Sequence, residues 1–246
     1  MLRHLSVFTL SCLSLVAFAE GPHWTYEGAH GPAHWADLDK NFAECRLGHA
    51  QSPIDIRNTR IKADAPDLAF AYQPRPLAII NNGHTVQVNE TGAGTLTIDG
   101  HVYEIVQLDF HTPSEERIRG RAYDLVAHLV HKDNAGKLAV VAVLFKAGHE
   151  NGALKTLFAN MPVGAGPEHS VAGVMFNPAD LLPAARGYYH FTGSLTTPPC
   201  SEGVAWYVLK TPVEASRAQL AMLHKLYTRN ARPVQPLNGR EVIEHL

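Results

Sequence analysis

Strand-like patterns of hydrophobic and polar residues dominate this chain. Five short segments show alternation or a β-branched and aromatic composition typical of strands. They are residues 84–88, 95–98, 101–111, 123–131 and 138–146. Helical periodicity is sparse, and its best example is residues 213–227. The pattern therefore predicts a mainly β protein with few helices.

Turn-forming sequences separate the predicted strands. Asn82-Gly83 and Asp99-Gly100 match tight hairpins, and residues 134–136 read Asn-Ala-Gly. Such short connections favour antiparallel neighbours. The run at 138–145 is apolar without alternation, which predicts a central strand covered on both faces, although a buried helix has the same pattern. We expect an α+β fold, mainly β, with a large twisted, mostly antiparallel sheet and short peripheral helices.

Composition and charge narrow the class of protein. The chain has 246 residues, of which 46% are hydrophobic and 18% charged, with a formal net charge of -2. This length suits one large globular domain, and no repeat or linker divides it. We place that domain at residues 20–246. Because no Lys/Arg run exists to neutralise a series of phosphates, we expect no nucleic-acid partner.

The N-terminal residues resemble a signal peptide. Arg3 precedes an apolar stretch at 5–18, and Ala17-Phe18-Ala19 matches an A-x-A cleavage site. We expect residues 1–19 to be removed by cleavage near Ala19, giving a periplasmic or secreted protein without stable membrane insertion. A membrane anchor is the alternative, but the stretch is shorter than the roughly 20 residues that cross a bilayer.

The mature chain would retain two cysteines. Cleavage would remove Cys12 and leave Cys45 and Cys200 in an oxidising compartment. One disulfide between them is the simplest prediction, and two free thiols are the alternative.

Several potential metal ligands fall on neighbouring predicted strands. Gln107, Asp109 and His111 project from one face of the strand that ends at His111, because residues two apart share a face. His128 lies in the next strand. If the two strands pair, one carboxylate and two imidazoles converge and leave a fourth position open, as catalytic zinc requires. Spacing alone also allows the histidines to be ordinary hydrogen-bonded strand residues.

A series of longer motifs, in order from Trp24 to Arg240, resembles the α-carbonic anhydrases. The motifs are WTY (24–26), Gly31-Pro32, Trp35, QSPIDI (51–56), NNGHT (81–85), FHTPSE (110–115), HLVH (128–131), GSLTTPPC (193–200), Glu202 and Trp206. The resemblance covers nearly the whole mature chain and implies that family's fold and a zinc cofactor.

The resemblance also implies a set of catalytic and metal-binding residues. His111 and His128 match the second and third zinc-binding histidines of the family, and Asp109 stands where the first should be. Thr196 matches the threonine that accepts a hydrogen bond from zinc-bound hydroxide and donates its own proton to Glu115. The implied reaction is the reversible hydration of carbon dioxide to bicarbonate and a proton.

Further residues match the walls of the family's site. His84 matches the proton shuttle, although it also fits an ordinary surface histidine. The apolar pocket for carbon dioxide corresponds to Val130, Val140, Leu195, Thr197, Val204 and Trp206. The ordered water network corresponds to Tyr26, Asn82 and Gln87. The resemblance also pairs Cys45 with Cys200.

Three positions depart from the family pattern at the metal site. Asp109 replaces a ligand histidine, Ala127 is interpreted as replacing a glutamate that supports the third ligand, and Glu116 replaces a buried histidine. A shorter ligand and a lost support predict weaker metal binding and reduced efficiency. A carboxylate ligand also predicts a pH-rate profile displaced to higher pH. Gln107 is placed to donate to Asp109, and the sequence does not identify a partner for Glu116.

Two other hypotheses follow from these departures. The first is a non-enzymatic relative that has lost zinc and serves as a binding or structural module. The second is altered chemistry with iron or manganese, which also accept carboxylate and histidine ligands. The sequence leaves a monomer and a homodimer equally open.

Overall fold

The computed structural model describes residues 23–246. The predicted signal peptide, its cleavage site near Ala19 and Cys12 lie outside these residues. Within the described part of the chain, no helix has the length and apolar character needed to cross a membrane.

Residues 23–246 form sixteen strands and a few short helices. The strands are β1 (Asp55–Ile56), β2 (Arg60–Ile61), β3 (Leu68–Tyr72), β4 (Arg75–Asn81), β5 (Val86–Asn89), β6 (Gly94–Ile98), β7 (His101–His111), β8 (Arg117–Ile118), β9 (Arg121–Ala122), β10 (Leu125–Lys132), β11 (Leu138–Ala147), β12 (His169–Phe176), β13 (Tyr188–Ser194), β14 (Glu202–Leu209), β15 (Val213–Ala215) and β16 (Ile243–Glu244). The α-helices are α1 (Trp35–Leu38), α2 (Glu44–Leu47), α3 (Gly152–Asn160) and α4 (Arg217–Leu226). Turns of 3-10 helix lie at Gly28–His30, Lys40–Phe42 and Pro178–Leu181.

The helix predicted at 213–227 is shorter than expected. Residues Val213–Ala215 form β15, which pairs in parallel with β11. Ser216 then caps α4, because its side chain accepts a hydrogen bond from the backbone N–H of Gln219 while the Gln219 side chain accepts from the backbone of Ser216. Periodicity alone missed this boundary, since a three-residue strand is too short to show a period of its own.

A mixed sheet of 13 strands dominates the structure. Its main path runs β12-β4-β5-β7-β10-β11-β14-β13-β16-β2, with β3, β6 and β15 attached beside it. Most neighbours are antiparallel, whereas β11 runs parallel to β14 and β15, and β16 runs parallel to β2. Strands β1, β8 and β9 form a small separate sheet. The large, mostly antiparallel sheet with peripheral helices is confirmed.

Strand β11 occupies the centre of this sheet, between β10 and β14. Residues 139–145 are all buried. Val141 and Val143 face the larger apolar cluster of the protein, and Val140 and Ala142 face a second cluster on the opposite side. The strand interpretation of this apolar run is confirmed, because both faces are covered.

A disulfide joins Cys45 in α2 to Cys200, as predicted. Their sulfur atoms are 2.07 Å apart, and the two cysteines pack with Trp35 in a third cluster. Trp24 and Tyr26 pack against the same cluster. The bond therefore connects the N-terminal segment to the loop that follows β13.

Candidate metal centre and active site

Strands β7 and β10 bring three potential metal ligands together. The strands are antiparallel neighbours, and Asp109 lies directly opposite His128. His111 is two residues from Asp109 and therefore shares its face. One donor atom from each of the three side chains lies within 4.8 Å of the others. Away from this cluster, residues 23–246 contain no group of three such side chains as close together.

The inner atoms of the two imidazoles face the aspartate. His111 Nε2 lies 2.9 Å and His128 Nδ1 lies 3.8 Å from Asp109 Oδ1. The other ring nitrogen of His111, Nδ1, points away from the aspartate and donates to the carbonyl of Asn230 at 2.6 Å. Zinc bonds of about 2.0–2.1 Å in a tetrahedron separate ligand atoms by roughly 3.4 Å, which lies between the two observed distances. The donor set therefore fits a zinc-sized divalent cation.

The charge of the cluster also favours a cation. Three carboxylates, from Asp109, Glu115 and Glu116, surround two imidazoles in a buried site. Buried negative charge is costly unless it is paired. Imidazoles that bind a metal are neutral, so the three carboxylates would then carry three uncompensated negative charges, of which a divalent cation would neutralise two.

Glu115 places one oxygen at the centre of the cluster. Its Oε1 accepts a hydrogen bond from the backbone N–H of Arg232 at 2.7 Å. Its Oε2 has no hydrogen-bond partner among the described residues, although it lies 3.7 Å from His111 Nε2 and 3.9 Å from His128 Nδ1. Burial raises the pKa of the Glu115 carboxyl, and the two imidazoles oppose that rise.

The electrostatic coupling is strong in both directions. Burial opposes ionisation of Asp109, yet the hydrogen bond from His111 and the charges of both imidazoles hold the pKa of Asp109 below its usual value. Burial alone would lower the pKa of His111, but Glu115 and Asp109 raise that pKa to about 10. The carboxylates thus favour positive charge at the centre of the site.

Gln107 supports the aspartate as the sequence suggested. Its Nε2 donates to Asp109 Oδ2 at 3.1 Å. Oδ1 is the oxygen nearest the two imidazoles. The amide therefore holds the second oxygen and leaves Oδ1 directed at the ligand cluster.

The interpretation of Ala127 as a lost support is wrong. Ala127 lies in the larger apolar cluster, on the face of β10 opposite His128, so no side chain at this position can reach the imidazole. The partner of His128 is Glu116, whose Oε1 and Oε2 lie 3.0 and 3.3 Å from Nε2. No partner of Glu116 could be predicted from the sequence, because the contact joins a loop to a strand.

One wall of the site is apolar. Val140, Val204 and Trp206 are buried in the second cluster, and Val130 and Leu195 pack against it. The Trp206 ring meets His128 edge-on, with ring centroids 4.9 Å apart.

Two threonines follow Leu195 at the start of a loop. Thr196 is buried, and its hydroxyl counteracts part of the rise that burial causes in the pKa of the Glu115 carboxyl. Thr197 is half-buried, and its carbonyl accepts from the backbone N–H of Cys200 at 2.9 Å. Thr196 therefore lies close to Glu115, and its catalytic role stays a prediction.

The opposite wall is polar. Gln87 pairs with Asp109 across β5 and β7, so their side chains share a face. Asn82 Nδ2 donates to Gln87 Oε1 at 3.3 Å. The buried Tyr26 hydroxyl has no hydrogen-bond partner among the described residues, and burial together with Glu115 and Asp109 raises the pKa of Tyr26. The role of these three side chains in holding ordered water stays a prediction.

His84 lies outside the ligand cluster, next to the N-terminal segment. Its ring stacks on Trp24 with centroids 3.6 Å apart and planes 7° apart. Burial and the neighbouring His23 lower the pKa of His84. A half-buried imidazole with a lowered pKa gives up a proton readily near neutral pH.

Two supporting residues escaped the sequence analysis. Asn230 binds His111 through its carbonyl, while its side-chain oxygen accepts from the N–H of Thr112. Arg232 supplies the N–H that holds Glu115. Both follow α4 in an irregular segment without periodicity. The groups that contact His111 and Glu115 are backbone groups, which the residue type does not reveal.

Comparisons with known proteins agree with this geometry. A family model described as eukaryotic-type carbonic anhydrase matches residues 30–246. A carbonic anhydrase of Klebsiella pneumoniae is 46% identical over 242 residues, covering 97% of both chains. The structure of Photobacterium profundum α-carbonic anhydrase has a TM-score of 0.85 and 47% identity, covering 90% of this chain and all of that one. That of Thermovibrio ammonificans α-carbonic anhydrase with sulfanilamide has a TM-score of 0.87 and 43% identity, covering 91% and 100%. This chain therefore belongs to the α-carbonic anhydrase family.

Proposed function

We propose that this protein catalyses the reversible hydration of carbon dioxide with a zinc ion held by Asp109, His111 and His128. The observation that carries the proposal is the convergence of these three donors beside an apolar wall. When bound, zinc acts as a Lewis acid that lowers the pKa of a coordinated water toward 7. Export to the periplasm or outside the cell belongs to the same proposal, and the disulfide supports it.

The protein's own residues orient the reactants. Thr196 donates its hydroxyl proton to the Glu115 carboxylate, so that its lone pair accepts from the attacking water and fixes the direction of attack. Glu115 keeps this orientation because Arg232 holds its other oxygen. The apolar side chains around Trp206 admit an uncharged linear substrate and exclude additional water.

Proton release uses the polar wall. Asn82 and Gln87 are joined by a hydrogen bond, and together with Tyr26 they hold water between the reaction centre and His84. His84 takes up the proton and passes it to solvent. Its lowered pKa favours release of that proton at neutral pH.

Reduced efficiency is part of the proposal and follows from Asp109. A carboxylate ligand donates more charge to the metal than an imidazole does, so it acidifies the coordinated water less. The expected result is a pH-rate profile displaced to higher pH, with slower turnover near neutrality.

Stopped-flow measurement of carbon dioxide hydration tests the proposal. The mature protein is assayed with and without added zinc, beside Asp109→His and Asp109→Asn. We expect zinc-dependent turnover in the parent, faster turnover at lower pH in Asp109→His, and weaker zinc binding in Asp109→Asn. Turnover in Asp109→His alone would instead support a non-enzymatic binding module, and full activity with bound iron or manganese but not zinc would support altered chemistry.

A further inference from the structure

Glu116 is a fully buried carboxylate in contact with a metal-binding side chain. Its side chain has 0% exposure, and both oxygens lie within 3.3 Å of His128 Nε2. Across the ring, His128 Nδ1 faces Asp109 Oδ1 at 3.8 Å. Of the two ring nitrogens of His128, Nε2 therefore contacts Glu116, and Nδ1 faces the metal-binding group.

The backbone around Glu116 is held on both sides. Its carbonyl accepts from the Ser114 hydroxyl at 2.8 Å, and the same hydroxyl accepts from the N–H of Tyr123 at 2.9 Å. The next residue, Arg117, donates its N–H to the carbonyl of Ile54 at 3.2 Å and pairs with Asp55 in the small sheet. The carboxylate therefore projects from a fixed loop.

Packing fixes the plane of the His128 ring but not its protonation. The ring lies between Trp206, edge-on with centroids 4.9 Å apart, and His111, with centroids 4.8 Å apart. Neither contact distinguishes the two neutral tautomers. Only an acceptor at Nε2 forces the proton onto that atom and leaves the Nδ1 lone pair free to bind a metal.

We infer that Glu116 is the positioning residue for His128, a role that rests on the metal site of the proposed function. Its carboxylate accepts the Nε2 proton, selects the tautomer that ligates through Nδ1, and increases the basicity of that atom. The support for His128 thus comes from the loop before β8 and not from strand β10. Glu116 also adds the negative charge that compensates a divalent ion with one carboxylate ligand.

Two readouts on zinc-loaded protein test this role. One is zinc affinity, measured by competition with a chromophoric chelator for the parent, Glu116→Gln and Glu116→Leu. The other is the nitrogen-15 and proton NMR spectrum of His128, which reports which ring nitrogen carries the proton. Glu90→Gln and Glu90→Leu are matched controls, because Glu90 is also a buried glutamate. Among the described residues, none of the ion pairs of the three ligands involves Glu90.

We expect Glu116→Leu to weaken zinc affinity by about 10- to 100-fold, with Glu116→Gln in between because its amide oxygen still accepts. The Glu90 variants keep the parent's affinity. The His128 Nε2–H signal should be present in the parent, shifted in Glu116→Gln and exposed to rapid exchange in Glu116→Leu. If Glu116→Leu fails to fold, the Gln variant carries the same test.

Parent-like zinc affinity in both Glu116 variants, or a parent His128 protonated at Nδ1, would overturn the inference. Carbon dioxide hydration measured on the same samples separates it from the proposed function. A parent that binds zinc and has the Glu116–His128 hydrogen bond, but shows no turnover, refutes the proposed function. The positioning role of Glu116 then remains intact.

Discussion

Two buried histidines of strand β10 have opposite surroundings. His128 and His131 are both almost completely buried, at 3% and 0% exposure. His128 faces the second cluster and the carboxylates of the metal site, whereas His131 faces the larger apolar cluster, where it pairs with Ala139. Burial alone therefore does not identify a functional histidine.

The hydrogen bonds of His131 are those of a neutral structural group. Its Nδ1 donates to the carbonyl of Ala139 at 3.2 Å, and its Nε2 accepts from the Tyr72 hydroxyl. Burial without a nearby carboxylate lowers the pKa of His131 to about 4. Both of its ring nitrogens are satisfied, so nothing remains to bind a ligand.

His128 has one nitrogen committed and one directed inward. Burial opposes its protonation, but Glu116 raises the pKa of His128 above its usual value. Two features therefore distinguish a ligand histidine from a core histidine. The ligand has carboxylates around its imidazole, and one of its ring nitrogens faces the interior of the site.

The largest expected effect comes from making the same change at both positions. His128→Gln should weaken zinc affinity by more than about 100-fold, because removing a ligand costs more than removing its support. His131→Gln should keep the parent's zinc affinity and lower the free energy of unfolding by about 1–3 kcal/mol, since its buried partners lose their hydrogen bonds. Chelator competition and urea unfolding measure the two effects.

Equal losses of zinc affinity in the two variants would contradict the comparison. They would show that the two faces of β10 are coupled through the strand instead of acting as separate environments.

Acid should reveal the neutral state of His131 at a smaller scale. Its folded pKa of about 4 lies below the unfolded value of 6.5, so between these values the unfolded chain binds a proton that the folded chain does not. Stability therefore falls as pH decreases from 6.5 to 4, by up to about 1.4 kcal/mol for each pH unit. Urea unfolding at several pH values in this range gives the free energy of unfolding as a function of pH. The slope of that plot should be shallower for His131→Gln than for the parent. Identical slopes would assign the acid sensitivity to other groups.

The central part of the sheet was predictable because several of its strands are long enough to show a pattern, whereas β12, β13 and β14 were not predicted. Strand His101–His111 has the predicted limits, and the apolar strand β11 was placed at the centre of the sheet. Strand Val213–Ala215 was not recognised, because three residues followed by a capped helix read as one helical segment. Pattern fails where an element is too short for its period to repeat.

The site was predictable in its three potential ligands and in the support of Asp109 by Gln107, but not in the support of His128. Asp109, His111 and His128 follow from strand alternation once β7 and β10 are neighbours. The pairing of Glu116 with His128 spans a loop and a strand, and the face of Ala127 was misassigned by one position along β10. A shift of one residue along a strand moves a side chain to the opposite face of the sheet. Residues that support the ligands can therefore be assigned only once the strand register is known from the structure.

The smallest expected effect isolates a single hydrogen bond in the core. Tyr72→Phe removes the hydroxyl that donates to His131 Nε2 and should lower the free energy of unfolding at pH 7 by about 1–2 kcal/mol, because a buried acceptor loses its partner. It should also weaken the acid sensitivity, since that bond favours neutral His131.

Tyr103→Phe, in the same cluster, is the control and should change neither quantity. Neither substitution should alter zinc affinity. If Tyr72→Phe left the stability unchanged, water or another group would have to hydrogen-bond to His131 Nε2. His131 would then differ from His128 only in the charges of its neighbours, and not in having protein partners for both ring nitrogens.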